Sequence, residues 1–466
     1  MADDHSLCSR DLIEAAADSC AFAKQHCASD AAGLFGSYVP LYYCQLGASP
    51  AAFAPLCALL LLLTICCLGS TADLFFIPQL TLLSELLVLP PDVAGITLLA
   101  FGNGAPDVFT AVAVANRADF PLLLSDLLGG SVFITTVVLG AVAWTASLLP
   151  SAARRPRSWS VEPFTFWRDL CAFSLALLAI LSAAARGSIG LRSSLLFLLL
   201  YLGYIACVVG LPRLGWAREA MLPAEAEAGG LLRAAYAALW VLEYPLTLLR
   251  YLSIPGADCG WDGARRRLTL ASLPFAALLL HVPPFHAALV LAGFAATIAW
   301  LDLLAKEAVA IVESIGKISG ISTSILGLTV IAVGNSVGDF VADTTAARRA
   351  DARMAASAAF GSPLLMLMLG TALPCLLFTA LNGRPIDTPI SAHCRVAAAF
   401  LLCALASHAV AFPIPAFGGA YSVPRAYSFY LFSLYAAFLT ISVLLEAGAL
   451  PKGWVCSLGG GSGCLT

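Results

Sequence analysis

GITLLAFGNGAPD at residues 95–107 and GLTVIAVGNSVGD at residues 327–339 are one motif written twice, at an offset of 232. Six of the thirteen positions are identical: Gly, Thr, Ala, Gly, Asn and Asp. Shared Leu, Val and Ala arise readily between any two apolar runs, but glycines and polar residues in register do not. Gly129 and Gly361 keep the same offset in the runs that follow. The chain therefore reads as an internal duplication.

The composition says what kind of duplication. Of 466 residues, 60% are hydrophobic and 11% charged, and the mean hydropathy is +0.89. A soluble domain is about a quarter charged, so the expected partner is the lipid bilayer. A net charge of −3, with no basic patch among aromatics, offers nucleic acid no footprint. Apolar runs place helices at 52–78, 92–116, 121–147, 169–186 and 190–211, then at 286–305, 322–347, 354–379, 392–412 and 427–447. The predicted fold is an all-α polytopic membrane protein built from two five-helix repeats, residues 51–211 and 286–449. Residues 212–285 form a central cytoplasmic stretch. Its apolar segment 268–281 is too short to span and carries Pro274, and is expected not to cross.

Five helices per half is an odd number, so the halves enter the membrane from opposite sides. With the N-terminus outside the cytosol, the cytoplasmic side collects fifteen of the twenty-five Lys and Arg, including Arg154, Arg155, Arg157, Arg265, Arg266, Arg267, Arg348 and Arg349. That is the sense of the positive-inside rule. The polar segment 1–50 carries Cys8, Cys20, Cys27 and Cys44, an even set that suggests disulfides and an oxidising compartment. Its acids argue against a mitochondrial transit peptide. Plasma membrane or endomembrane is thus favoured over the mitochondrial inner membrane. Residues 450–466 are a C-terminal tail.

Each motif ends in an aspartate inside an apolar run, Asp107 and Asp339. Such a residue costs roughly 2.5–3.5 kcal/mol to insert and needs a partner or a purpose. Gly102, Gly104 and Pro106 in one half, and Gly334 and Gly338 in the other, are expected to break their helices and free backbone carbonyls. Broken helices from inverted repeats, meeting at the midplane, make a transporter binding site. The ligand chemistry is that of a hard cation. Two carboxylates are joined by oxygens of Asn103, Asn335 and Ser336, with Thr97 and Thr329 as weaker candidates. Inorganic cations are the expected partners, and no cofactor is called for. Asp343, one turn beyond Asp339, reads chiefly as a solvated acid at a helix end, with ion guidance as the alternative. Glu307 and Glu313, near Lys306 and Lys317, read as charges at the membrane edge.

At these residues the sequence resembles the calcium/cation antiporter superfamily, and within it the cation/calcium exchanger branch, which includes plant exchangers and mitochondrial sodium/calcium exchangers. GNGAPD at 102–107 and GNSVGD at 334–339 look like that branch's two repeat signatures. ILGLTVIAV, the cysteine series ending in YYC, and VLEYPLTLL in the central stretch resemble it too. The resemblance implies antiport of Ca2+ or another cation against Na+, K+ or H+ by alternating access. Asp107 and Asp339 would be the central ligands, with Asn103, Asn335 and Ser336 lining the site. Superfamily members often carry a polar residue 27 positions after each acid; here those positions hold Ile134 and Met366. An apolar residue at the first is expected in the branch, and asparagine at the second. Met366 thus keeps open an alternative, a transport-inactive homologue that senses or scaffolds. Relatives also tend to carry more spanning sequence around 268–285. An intramembrane aspartyl protease is the enzymatic alternative. It has no use for twin asparagines, and the Pro-Ala-Leu tripeptide of presenilin-like enzymes is absent.

Overall fold

The computed structural model describes residues 8, 10–27, 32–33, 36–113, 120–148, 161–213, 246, 249–250, 283–319, 336–388, 392–413, 425–446 and 449. The apolar runs that fall among them are helical. Short helices α1 (Arg10–Ala15) and α2 (Ser19–His26) precede α3 (Pro50–Thr71), which continues through a π-turn at Ala72–Phe76 into α4 (Ile77–Leu86). The first motif enters by Pro91–Ala94 and a π-turn, Gly95–Leu99, before α5 (Ala100–Ala113). Next come α6 (Phe120–Phe133), a π-turn at Ile134–Val138, α7 (Leu139–Leu148), α8 (Pro163–Ala185) and α9 (Leu191–Arg213). The second half has α10 (Pro283–Ser319), α11 (Val337–Arg349), α12 (Ala352–Asn382), α13 (Ala392–Ala411) and α14 (Arg425–Glu446). Seven stretches among the described residues are long and apolar enough to cross a membrane. Residues 268–281 lie outside the described residues.

Two compact units emerge, and each draws on both sequence halves. One comprises Met1–Phe75 and Glu227–Gly338. Here α3 packs along α10. At 37 residues α10 is about 55 Å long, well beyond a hydrocarbon core of about 30 Å. The N-terminal segment covers the excess. Disulfides Cys8–Cys27 and Cys20–Cys44 staple it, joining the four cysteines singled out in the sequence. A short hairpin, β1 (Ala32–Gly33) with β2 (Gly36–Ser37), leads into Tyr38. Tyr38 and Tyr42 then pack with Phe53 and Cys57 of α3 and with Ala310 and Ile311 of α10. The Tyr38 hydroxyl donates to the Glu307 carboxylate, and both residues are buried. This corrects the reading of Glu307 as a membrane-edge charge: the stapled segment roofs it over. Lys306 pairs instead with Asp302, and Lys317 with Glu313. Arg250, fully buried, donates to the Cys67 carbonyl at 2.9 Å, to Ser70 Oγ at 2.8 Å and to Thr71 Oγ1 at 2.5 Å.

The other unit comprises Phe76–Ala226 and Asp339–Thr466. Its interior helix is α12, packed against α5, α6, α7, α8 and α9. The first turns of α12 are almost all small (Ala352, Ala355, Ala356, Ser357, Ala358, Ala359, Gly361, Ser362), so neighbouring backbones come close, as in other membrane bundles. A Cβ on Gly95 would lie 2.2 Å from the Met354 carbonyl oxygen, and one on Gly361 would lie 3.0 Å from Ile96 Cα. Backbone thus touches backbone at both crossings. Leu175, Leu178, Leu199, Leu202 and Phe429 point outward, as lipid-facing side chains do. Two short strands, β3 (Ser188–Ile189) and β4 (Ile386–Asp387), pair antiparallel and tie the α8–α9 turn to the α12–α13 turn. Buried His408 of α13 spans to Tyr427 Oη at 2.7 Å and to the Thr135 carbonyl in the Ile134–Val138 π-turn at 3.1 Å. A carbonyl only accepts, so Nε2 is the donor there.

Candidate cation site

The site is built from the antiparallel pair α11 and α12 and from α5. A tight turn at Ala350–Asp351 reverses the chain, and the Asp351 side chain caps α12 by accepting from the Arg353 amide at 2.8 Å. Asp339 lies twelve residues before Asp351 and Ser362 eleven after, so the hairpin brings them to one depth. There Ser362 Oγ donates to Asp339 Oδ1 at 2.6 Å, and both residues are fully buried. Asp339 also occupies the first turn of α11, where free amides and the helix dipole favour negative charge.

From the other half, Gly104 sets the approach of α5. A Cβ there would meet Leu365 Cδ2 at 2.9 Å, Met366 Cγ at 3.4 Å and Ser362 Oγ at 3.6 Å. With no side chain in the way, Asn103 beside it reaches α11. Its Nδ2 donates to Asp343 Oδ1 at 3.1 Å. Asp107, half-buried, follows Asn103 by four residues on the same helix face. Asn103 Oδ1, Asp339 Oδ2 and Asp343 Oδ2 are buried and have no hydrogen-bond partner among the described residues. Such atoms are costly unless something positive meets them.

Several sequence expectations change. Asp343 is fully buried rather than solvated, because α11 presents it to Asn103 and not to water. Gly102 and Gly104 do not break the helix: α5 is continuous from Ala100, and the irregularity is the π-turn Gly95–Leu99 just before it. A glycine inside a helix costs only about 1 kcal/mol, which close packing at Gly104 offsets. Pro106 is also helical; lacking an N–H, it leaves the Gly102 carbonyl without its usual donor. Gly338 sits in the opening turn of α11, and Ser336 just before that helix is buried, its hydroxyl unpartnered among the described residues. Gly334, Asn335 and Thr329 lie outside the described residues. The Thr97 hydroxyl is spent on its own helix, donating to the Val93 carbonyl at 2.6 Å. Ser362 went unnoticed in the sequence, where its partner position is Gly130. Among the described residues no three His, Cys, Asp or Glu side chains gather to hold one ion, so neutral oxygens must complete any cage.

Comparison with known proteins follows the same lines. The family described as "Sodium/calcium exchanger protein" matches residues 57–210 and 289–444, one stretch in each half. The human mitochondrial sodium/calcium exchanger protein is 28% identical, over 93% of this chain and 88% of its own. Cation/calcium exchanger 2 of Arabidopsis thaliana is 29% identical, over 74% and 75%. A solved structure of the sodium-calcium exchanger NCX_Mj superposes with a TM-score of 0.50 at 15% identity, covering 83% of this chain and 98% of that one. At that identity the likeness concerns the fold.

Proposed function

The chain belongs to the sodium/calcium exchanger family, and from that premise we propose that it moves Ca2+ against a monovalent cation by alternating access, with Asp107 and Asp339 as the central charged ligands. It is a multi-pass membrane transporter, not an enzyme, and the cations are its cargo. The observation that carries the site assignment is the cluster of buried Asp339 and Ser362 with half-buried Asn103, whose leftover buried atoms are oxygen acceptors. Hard, flexible oxygen coordination suits Ca2+. Asn103 lines the site from α5; Asn335 and Ser336 precede Asp339 as their counterparts in the second motif. Na+ is the first counter-ion to test, since the mitochondrial relatives are named for it; K+ and H+ follow.

Residues 51–211 and 286–449 act as inverted repeats around this site. The β3–β4 pair supports that reading, because inversion with the N-terminus outside puts the α8–α9 and α12–α13 turns on one side of the membrane. The two disulfides support a non-cytosolic N-terminal segment, in the plasma membrane or an endomembrane. Burial of Met366 beside Gly104 is the one observation favouring a transport-inactive homologue, since it puts a thioether where an oxygen would help.

Reconstituted protein should take up 45Ca2+ down an imposed Na+, K+ or H+ gradient. Asp107→Asn and Asp339→Asn should each abolish that uptake. Folded protein that moves no Ca2+ under any gradient refutes the exchange reading, and uptake appearing only with Met366→Asn establishes the inactive one.

A further inference from the structure

Asp343 breaks the symmetry of the duplication: the matching residue of the first half is Ala111. One turn beyond Asp339 and fully buried, it is the third carboxylate of α5 and α11. Asn103 satisfies one of its oxygens. The other, Oδ2, faces no donor among the described residues, and the same holds for Asp339 Oδ2 and for Asn103 Oδ1. With both carboxylates ionised every one of these atoms is an acceptor, so only a proton or a metal cation arriving from outside the cluster can satisfy them. Two ionised carboxylates four residues apart on one helix face also repel each other. A cation beside Asp343 removes both penalties at once.

The neighbouring helix explains why the seat lies here. One turn beyond Ser362, α12 offers the thioether of buried Met366, a soft group that hard cations do not use. Nor do three acidic side chains share one point among the described residues. A single carboxylate with an amide oxygen carries one negative charge, matching one monovalent ion. Asp107 and Asp339 are left to match the divalent one.

We infer that Asp343 and Asn103 Oδ1 form a seat for the monovalent counter-ion beside the Ca2+ site, with Asn103 common to both, and that Asp343 sets its affinity. This rests on the exchange reading above.

The test is Asp343→Asn in proteoliposomes, which keeps an oxygen for Asn103 and removes the charge. In 45Ca2+ uptake titrated against Na+ and K+, the monovalent half-saturation should rise about tenfold or more, equivalent to about 1.4 kcal/mol. The Ca2+ half-saturation should move less than about threefold. Adding Met366→Asn to Asp343→Asn should recover part of the monovalent affinity, by returning an oxygen to the same wall. Thermal melting confirms that each variant folds. Should Asp343→Asn fail to fold, Asp343→Glu keeps the charge but moves the oxygens, and must alter the ranking of Li+, Na+ and K+. An unchanged monovalent dependence in Asp343→Asn, a Ca2+ half-saturation that rises equally, or an unaltered ranking in Asp343→Glu overturns the seat while wild-type exchange stands. Wild-type protein without exchange overturns the parent reading, and the seat with it.

Discussion

Replacing Gly95 with alanine should damage the protein more than any other single-methyl addition at the motif glycines. The built Cβ would stand 2.2 Å from the Met354 carbonyl oxygen, 2.9 Å from its carbon and 3.1 Å from its Cα. All three are backbone atoms of α12, which cannot rotate away as a side chain does. Ordinary contact begins near 3.4 Å, so the two backbones must part by about 1 Å. Overpacking of this kind costs about 1–3 kcal/mol, and more where the backbone itself has to yield. Helix propensity returns at most about 1 kcal/mol, leaving a net loss of about 2 kcal/mol. Gly104→Ala meets the movable tip of Leu365 at 2.9 Å and should come out near neutral. Gly338→Ala meets nothing within 4 Å and should match or exceed wild type. Thermal unfolding of the three purified variants in detergent, read by tryptophan fluorescence, gives the order. A Gly95→Ala protein melting with wild type, or Gly338→Ala as the weakest of the set, would refute the reasoning.

Two further outcomes concern the unit built on α3 and α10. Arg250→Lys should lower the melting point, by about 2 kcal/mol of stability, because an ammonium cannot copy the fan of bonds to Cys67, Ser70 and Thr71; a lysine variant melting with wild type would count against this. Cys20→Ser should cost about 2–4 kcal/mol under non-reducing conditions, as expected for opening a cystine loop. Reductant should bring wild type down towards the variant, and indifference to reductant would show that the bridge is not formed.

The helices were legible because lipid imposes long apolar runs, and those runs mark α6–α7, α9, α12, α13 and α14 closely, while the run at 52–78 misses the end of α3 and the run at 169–186 misses the start of α8. Pairing of the four N-terminal cysteines was legible from their even number in a polar flank. Asp107 and Asp339 stood out because the duplication repeats them. The same signal hides what the duplication does not repeat. Ser362 faces Gly130 and Asp343 faces Ala111 across the offset, so neither gained weight from symmetry. Their roles come from a hairpin that sets α11 and α12 at matching depth, a three-dimensional fact with no one-dimensional trace. Gly104 misled for a related reason: glycine serves helix breaks and helix crossings alike, and only the position of the partner helix separates the two. Glu307 was misjudged because charges normally mark where a helix leaves the bilayer, whereas α10 runs on into a protein-made shelter.

That shelter ties chemistry outside the bilayer to a helix within it. Tyr38 grips α10 at Glu307 and shares a core with Phe53 and Cys57 of α3, while Cys44, six residues along, is clamped to Cys20. The two long helices of this unit therefore share a knot tied in covalent bonds, and a shift of either one pulls on the other through it. Reductant that opens these bridges, or antibodies applied to the exposed parts of α1 and α2, would thus have mechanical purchase on helices they never touch.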